Sequence, residues 1–264
     1  MENMLKPGDI AQATIKSGIK KANLSVLKML LLGIFAGVFI GFGAHADIVV
    51  TQTLGKTVDV GLAKLIGASV FPVGLMLVVM AGAELFTGNN LMSLAALDKK
   101  ITVKGMLRNW IIVYIGNFIG SILLAWILSK SGLYKSTVAT KAIAIAQGKV
   151  ELTFLSAFIR AILCNIVVVL AVWFSTASKF VTGKILAIWF PIMMFVLSGF
   201  EHCVANMFFI PMGKFVGANF TWIEMWNNLI PVTIGNIIGG GVLVPIVYYI
   251  CYIKEDKLKK SKAV

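Results

Sequence analysis

GAELFTGN at residues 82–89 returns as GFEHCVAN at residues 199–206, and both interrupt stretches that are otherwise apolar. The shared frame is glycine, a spacer, glutamate, then asparagine five positions after the acid, at a spacing of 117 positions. A second pair agrees with it: NWIIVYIGNFIG at 109–120 and NLIPVTIGNIIG at 228–239 stand 119 positions apart. Two independent pairs at nearly equal spacing define an internal repeat. If each copy holds three membrane spans, the second copy must run in the opposite sense, because three is odd, and the halves are then related by a pseudo-two-fold axis in the membrane plane.

Composition makes spans the natural reading. The chain has 264 residues, of which 59% are hydrophobic, and a mean hydropathy of +0.92, beyond what a soluble domain carries. Polar breaks delimit six apolar stretches near 27–46, 62–97, 106–128, 153–174, 185–210 and 228–253, each near or above the ~20 residues a helix needs to cross the hydrocarbon layer. The second and fifth are too irregular to be single straight helices. The expected fold is therefore all-α and integral to the membrane: six spans as an inverted three-plus-three repeat, one domain, with interrupted second and fifth helices.

Lysine placement suggests the orientation. With the amino terminus inside, 16 Lys and Arg fall in cytoplasmic segments and 7 in outer ones, with Arg160 left within a span; basic loops favour the cytoplasm. Both termini are expected inside. The first 22 residues carry several lysines and no continuous apolar core, so no cleavable signal peptide is expected. Residues 1–26 are read as a cytoplasmic helix, residues 27–253 as the core and residues 254–264 as a basic tail. The stretch from Ile10 to Lys28 suits an amphipathic helix on the inner membrane surface or an extension of the first span with snorkelling lysines.

The net charge of +13 does not indicate nucleic acid, since the basic residues are scattered between apolar runs without a soluble face. Cys164, Cys203 and Cys251 lie in apolar runs, without CxxC spacing, and are read as packing residues. With only His45 and His202 in the chain, a multi-histidine metal site is not expected; neither is a cofactor. Gly33, Gly37 and Gly41, Gly116 and Gly120, and Gly235 and Gly239 form GxxxG steps, which let helices approach closely in lipid.

Glu84 and Glu201 occupy matching positions, each after a glycine and before Asn89 or Asn206. A carboxylate at membrane depth is costly unless satisfied. Each glutamate is expected either to accept bonds from backbone N–H groups freed by the break, as scaffold, or to carry protons. His202 has no such twin, because the matching residue is Leu85. It either bonds across helices or acts on what passes.

GAELFTGN, RAILCNIVVVLAVW at 160–173 and GFEHCVANM at 199–207 resemble the formate/nitrite transporter family, and the likeness runs over nearly the whole chain. The resemblance implies an aquaporin-like fold, a homopentamer in the lipid bilayer, and in each protomer a pore for a small monovalent anion or its conjugate acid. It places the family's outer hydrophobic constriction on Phe71 and Phe195 and its inner one on Leu75 and Leu85. It also implies that Thr87 faces His202, that Asn165 lines the same chamber, and that Lys149, in the loop before the fourth span, stands near the outer vestibule.

The functional expectation is a channel in the cytoplasmic membrane for formate, nitrite or hydrosulfide, with proton transfer or hydrogen bonding at His202. The alternative is a pore for neutral solutes on the same plan, although the Asn-Pro-Ala pair of aquaporins is absent and Gly88-Asn89 and Ala205-Asn206 stand in its place. An intramembrane enzyme lacks HExxH, a serine elbow and a paired acid–base group, so no catalytic residue is expected.

Overall fold

The computed structural model describes residues 4–254, whose regular structure is helical apart from an isolated bridge between Met4 and Ser178. The basic tail expected at 254–264 lies, beyond Lys254, outside the described residues.

Helix α1 (Pro7–Ala22) begins with proline, whose fixed φ suits a first turn, and places Asp9 at its start and Lys20 and Lys21 at its end, each complementing the helix dipole. Its apolar residues Ile10, Ala11 and Ile15 are buried in a cluster with Leu91, Leu94, Ala95, Trp173 and Val244. This corrects the reading of the stretch as an extension of the first span, whereas the amphipathic helix itself is present. The stripe faces protein rather than lipid, and the helix stops at Ala22 rather than running into the next one. Helix α2 (Val26–Thr51) starts afresh, with the Ser25 hydroxyl accepting from Lys28 N at 3.3 Å.

The second apolar stretch is broken several times. It comprises α3 (Val60–Val70), α4 (Val73–Leu77), a π turn at Val78–Gly82, a non-helical link, α5 (Phe86–Asn89), a 3-10 turn at Asn90–Met92 and α6 (Ser93–Leu97). Helix α7 (Val103–Lys130) follows, then α8 (Ser136–Val150), which sequence reading had treated as loop, and α9 (Phe154–Ala177). The fifth stretch divides into α10 (Val181–Leu197) and α11 (Cys203–Phe215). Helix α12 (Trp222–Asn236) continues through π turns and α13 (Val244–Tyr249) to Lys254. Among the described residues, five helical segments are long and apolar enough to cross a membrane, and Val181–Leu197 and Cys203–Phe215 are shorter apolar helices. Large apolar side chains such as Phe35, Ile111, Leu155 and Val247 are exposed around the bundle, as expected of a surface facing lipid or another protomer.

Two helix pairs form the frame, and small residues set their spacing. On α2, a Cβ at Gly33 would lie 3.1 Å from Val113 O and 3.2 Å from Gly116 Cα of α7; a Cβ at Gly120 would collide with Ile34 O. In the other half, Gly235 of α12 and Gly239 of the π turn that follows it press in the same way on the backbone of Phe158 and Ile162 of α9. Without a strong hydrophobic drive between helices in lipid, such close packing carries the association. Gly33→Ala is accordingly expected to destabilise the protein by about 1–3 kcal/mol through overpacking, read as a lowered unfolding midpoint in detergent. An unchanged midpoint would mean that α2 and α7 have slack the structure does not display.

Cys164 and Cys203 are buried, as packing residues should be, whereas Cys251 is exposed. The apolar run around Cys251 therefore does not place it in the core of the protomer.

Candidate functional site: a pore at two broken helices

Both breaks are made the same way. Gly82 has φ +86° and Gly199 φ +69°, in the left-handed region that glycine enters without strain. The chain then runs extended through Leu85 (φ −105°, ψ 124°) and His202 (φ −116°, ψ 116°) before α5 and α11 begin.

An interrupted helix exposes backbone groups that lipid cannot satisfy. Asparagines from neighbouring helices satisfy them here. Asn117 of α7 accepts from Phe86 N at 2.9 Å and donates to Gly33 O at 2.8 Å and Glu84 O at 2.9 Å. Asn236 of α12 accepts from Cys203 N at 2.9 Å and donates to Ala161 O at 2.8 Å and Glu201 O at 3.0 Å. The link's own amides reach the neighbouring helices, Glu84 N to Leu32 O at 3.2 Å and Glu201 N to Arg160 O at 3.4 Å.

The glutamate carboxylates do something else, and the expectation that freed N–H groups satisfy them is corrected. Glu84 accepts from Lys21 Nζ at 2.6 Å and Asn89 Nδ2 at 2.7 Å. Glu201 accepts from Lys149 Nζ at 2.9 Å, from Asn206 Nδ2 at 2.6 Å and, at 3.4 Å, from Asn228 Nδ2. Asn89 and Asn206 pass the network on to Asn109 and Asn228, whose amides donate to Lys21 O at 3.2 Å and Lys149 O at 2.9 Å. Each acid is thus clamped to the last turn of an amphipathic helix.

Lys149 belongs to that last turn of α8 rather than to a loop. Lys21 is its twin on α1, and sequence reading did not single it out. A third repeat spacing, 128 positions, carries Lys21 onto Lys149, Leu32 onto Arg160 and Gly33 onto Ala161. Each repeat therefore consists of an amphipathic helix followed by three apolar stretches. The side chains are too unlike for composition to reveal this, and only the shared lysine at the helix end carries the signal.

Three spaces lie in series. A cavity of about 360 Å³ on the α8 side is lined by residues including Asp47, Lys64, Lys141, Lys149, Glu201 and His202. A cavity of about 390 Å³ on the α1 side is lined by residues including Lys20, Lys21, Glu84, Leu85, Ser175 and Lys184. Between them is a gap of about 10 Å³ lined by Ile40, Phe71, Leu75, Leu85, Val168, Ile192, Phe195 and His202. Phe71, Phe195 and His202 border the first cavity as well, and Leu75 and Leu85 the second, so the gap joins the two. Phe71 meets Phe195 edge to face at 5.7 Å between centroids, and Phe195 lies against the His202 ring at 6.0 Å.

Repeat spacing pairs Ile40 with Val168, Leu75 with Ile192 and Leu85 with His202. His202 is the one polar member of this lining. Its Nδ1 accepts from Ala205 N at 3.1 Å, capping α11, and its Nε2 lies 2.8 Å from Thr87 Oγ1. Since a backbone N–H can only donate, Nδ1 is an acceptor, and a neutral ring carries its hydrogen on Nε2, pointing at the Thr87 oxygen. The Thr87 hydroxyl hydrogen is then free of His202.

Asn165 stands one layer behind. It is fully buried, and its amide donates to Asn236 O at 2.7 Å, Asn90 Oδ1 at 2.7 Å and Thr87 O at 3.4 Å. From the same helix Val168, not Asn165, lines the gap, which corrects the expectation that Asn165 faces the chamber. Thr87, Asn90, Asn165 and His202 correspond by repeat to Val204, Met207, Gly37 and Leu85. These four additions to the symmetric frame are linked, His202 to Thr87 and Asn165 to Thr87 O and Asn90.

Two vestibules of about 360 and 390 Å³ joined by a nearly closed, largely apolar ring, within a bundle of membrane-crossing helices built as an internal repeat, define a membrane channel. Comparison with known proteins gives the family. A sequence model described as Formate/nitrite transporter matches residues 8–250, and the chain belongs to that family. It is 47% identical to the uncharacterized transporter YrhG of Bacillus subtilis (strain 168), with 97% of each chain covered. It is 45% identical to a probable formate transporter of Methanothermobacter thermautotrophicus, covering 94% of this chain and 97% of that one. A solved pentameric formate channel with formate bound superposes with a TM-score of 0.77 at 38% identity, over 87% of this chain and 98% of that chain.

Proposed function

We propose that this protein is a formate channel, assembled as a homopentamer with six spans per protomer and an independent pore in each, lying in the cytoplasmic membrane with both termini inside. The observation that carries the reading is the gap itself. A dry ring whose one polar member is His202, with Thr87 buried behind it at 2.8 Å, separates two vestibules whose lysines outnumber their acids. Such vestibules concentrate small anions by focusing field between low-dielectric walls. The ring then selects for a species that crosses with little charge.

The His202 geometry supports hydrogen bonding over proton donation. Giving up a proton to substrate requires the imidazolium form, and protonating Nδ1 would set two donors, Nδ1–H and Ala205 N–H, against each other. In this reading the Thr87 hydroxyl donates to a substrate oxygen in the ring, His202 Nε2–H holds that hydroxyl in place, and a crossing acid takes its proton from vestibule water. Weak acids crossing in this way speed up as the medium becomes more acidic.

Stopped-flow flux in proteoliposomes tests the proposal. Formate is expected to equilibrate at least about tenfold faster than in protein-free vesicles, with nitrite and hydrosulfide in the same series ranking substrates. Formate no faster than the lipid background, together with rapid glycerol or water flow, would replace this reading by a pore for neutral solutes.

A further inference from the structure

The two vestibules are related by the repeat, yet their charges are not. Each is lined by three lysines, Lys64, Lys141 and Lys149 on the α8 side and Lys20, Lys21 and Lys184 on the α1 side, and each holds one clamped glutamate. The α8 side has a further carboxylate, Asp47. Among the described residues Asp47 makes no ion pair; Lys141 and Lys149, which line the same vestibule, attract its carboxylate without clamping it.

The repeat shows what stands in its place on the other side. The spacing that carries Lys21 onto Lys149 carries Asp47 onto Ser175, which lines the α1 vestibule with its hydroxyl turned to Val172 O at 2.8 Å. The spacing of the broken helices carries Gly67 onto Lys184, which lines the same vestibule. Gly67 is the residue against which Asp47 rests: a Cβ there would collide with Asp47 Oδ1 and approach Thr51 Cγ2 to 2.6 Å. Where the α1 mouth has a hydroxyl and an ammonium, the α8 mouth has a carboxylate and bare backbone. The bare backbone is what makes room for the carboxylate.

We infer that Asp47 and Lys184 make the two mouths unequal, so that a substrate anion is held more weakly in the α8-side vestibule than in the α1-side vestibule. The inference rests on the formate-channel reading. A passive pore has the same permeability in both directions at low concentration and zero voltage, so the inequality cannot appear there. It appears in saturation: the half-saturating concentration is lower from the Lys184 side. The α1 mouth carries one more positive unit than the α8 mouth, three lysines against one acid compared with three against two, and one unit charge about 10 Å from the substrate through water gives a ratio of about twofold, with field focusing in a cleft raising it to several-fold.

The experiment measures initial formate influx over a concentration series into right-side-out and inverted membrane vesicles. The wild-type protein is expected to show half-saturating concentrations differing about two- to fivefold between the two orientations. Asp47→Asn or Lys184→Gln alone should bring that ratio to about one, and the two together should invert it. A high concentration of an impermeant salt should collapse the wild-type ratio as well, since exposed charges are screened at that ionic strength. A poorly folding variant lowers influx in both orientations alike and leaves the ratio readable. Equal half-saturation in the wild type, or a ratio that Asp47→Asn and salt leave unchanged, overturns the inference. Absence of formate influx in both orientations overturns the channel reading instead.

Discussion

Asn236→Leu is expected to lower the unfolding free energy by about 3–5 kcal/mol, the largest stability loss of any single substitution considered for this chain. The leucine fits the volume but removes one acceptor and one doubly donating amide, orphaning Cys203 N, Ala161 O and Glu201 O together. Ordinary interhelical hydrogen bonds in membranes average only ~0.6 kcal/mol, because the unfolded chain in the bilayer finds other partners. Three of those would amount to about 2 kcal/mol. The larger figure applies because two of these partners, Cys203 N and Glu201 O, belong to a helix break and have no intrahelical alternative; leaving a buried group unsatisfied costs about 1–3 kcal/mol. Asn117→Leu, the twin in the other half, should cost about the same. Unfolding measured by steric trapping in bilayers checks both, and a loss below about 1 kcal/mol would show that water or a shifted backbone replaces the amide.

These asparagines also mark how far the sequence was legible. The repeat, the broken helices and the paired Glu84 and Glu201 could all be read from spacing, because a charged residue in an apolar run stands out and a glycine before it implies a break. The roles around them could not. Asn109, Asn117, Asn228 and Asn236 lie inside the very segments that revealed the repeat, but a polar residue within a span does not announce which of several neighbours it bonds. The carboxylates were assigned to backbone donors for the same reason. Their real partners, Lys21 and Lys149, come from amphipathic helices well away in sequence. Helix α8 was missed because its composition, alanine and lysine with few large apolar residues, is also that of a polar connection. Asn165 was misplaced by one turn, since neighbouring faces of α9 are both buried and only packing distinguishes them. Asp47 carried no signal at all until the fold set it against Gly67 at the mouth of a cavity.

The largest effect on transport is expected at His202. His202→Leu gives both halves of the pore the same residue, as Leu85 already stands opposite by repeat, and leaves an apolar ring whose only nearby donor, Thr87 Oγ1, has lost the group that orients it. A hydrogen bond to a charged or strongly polar partner contributes about 1.5–3 kcal/mol, so formate flux should fall about tenfold to a hundredfold at ~1.4 kcal/mol per tenfold. Loss of the α11 cap at Ala205 N costs only about 1 kcal/mol of stability, so the variant should still fold and the flux remain measurable. Thr87→Val separates the two partners. If the hydroxyl is the donor and the ring its holder, the valine variant should lose about as much flux as the leucine variant, and the double variant little more. His202→Asn decides between hydrogen bonding and proton donation, because an amide can cap α11 and donate but does not titrate. Its flux is expected to keep the wild-type rise toward acidic pH at a reduced amplitude. A flat profile in that variant, beside a steep one in the wild type, would make His202 the proton source and overturn the neutral-ring mechanism.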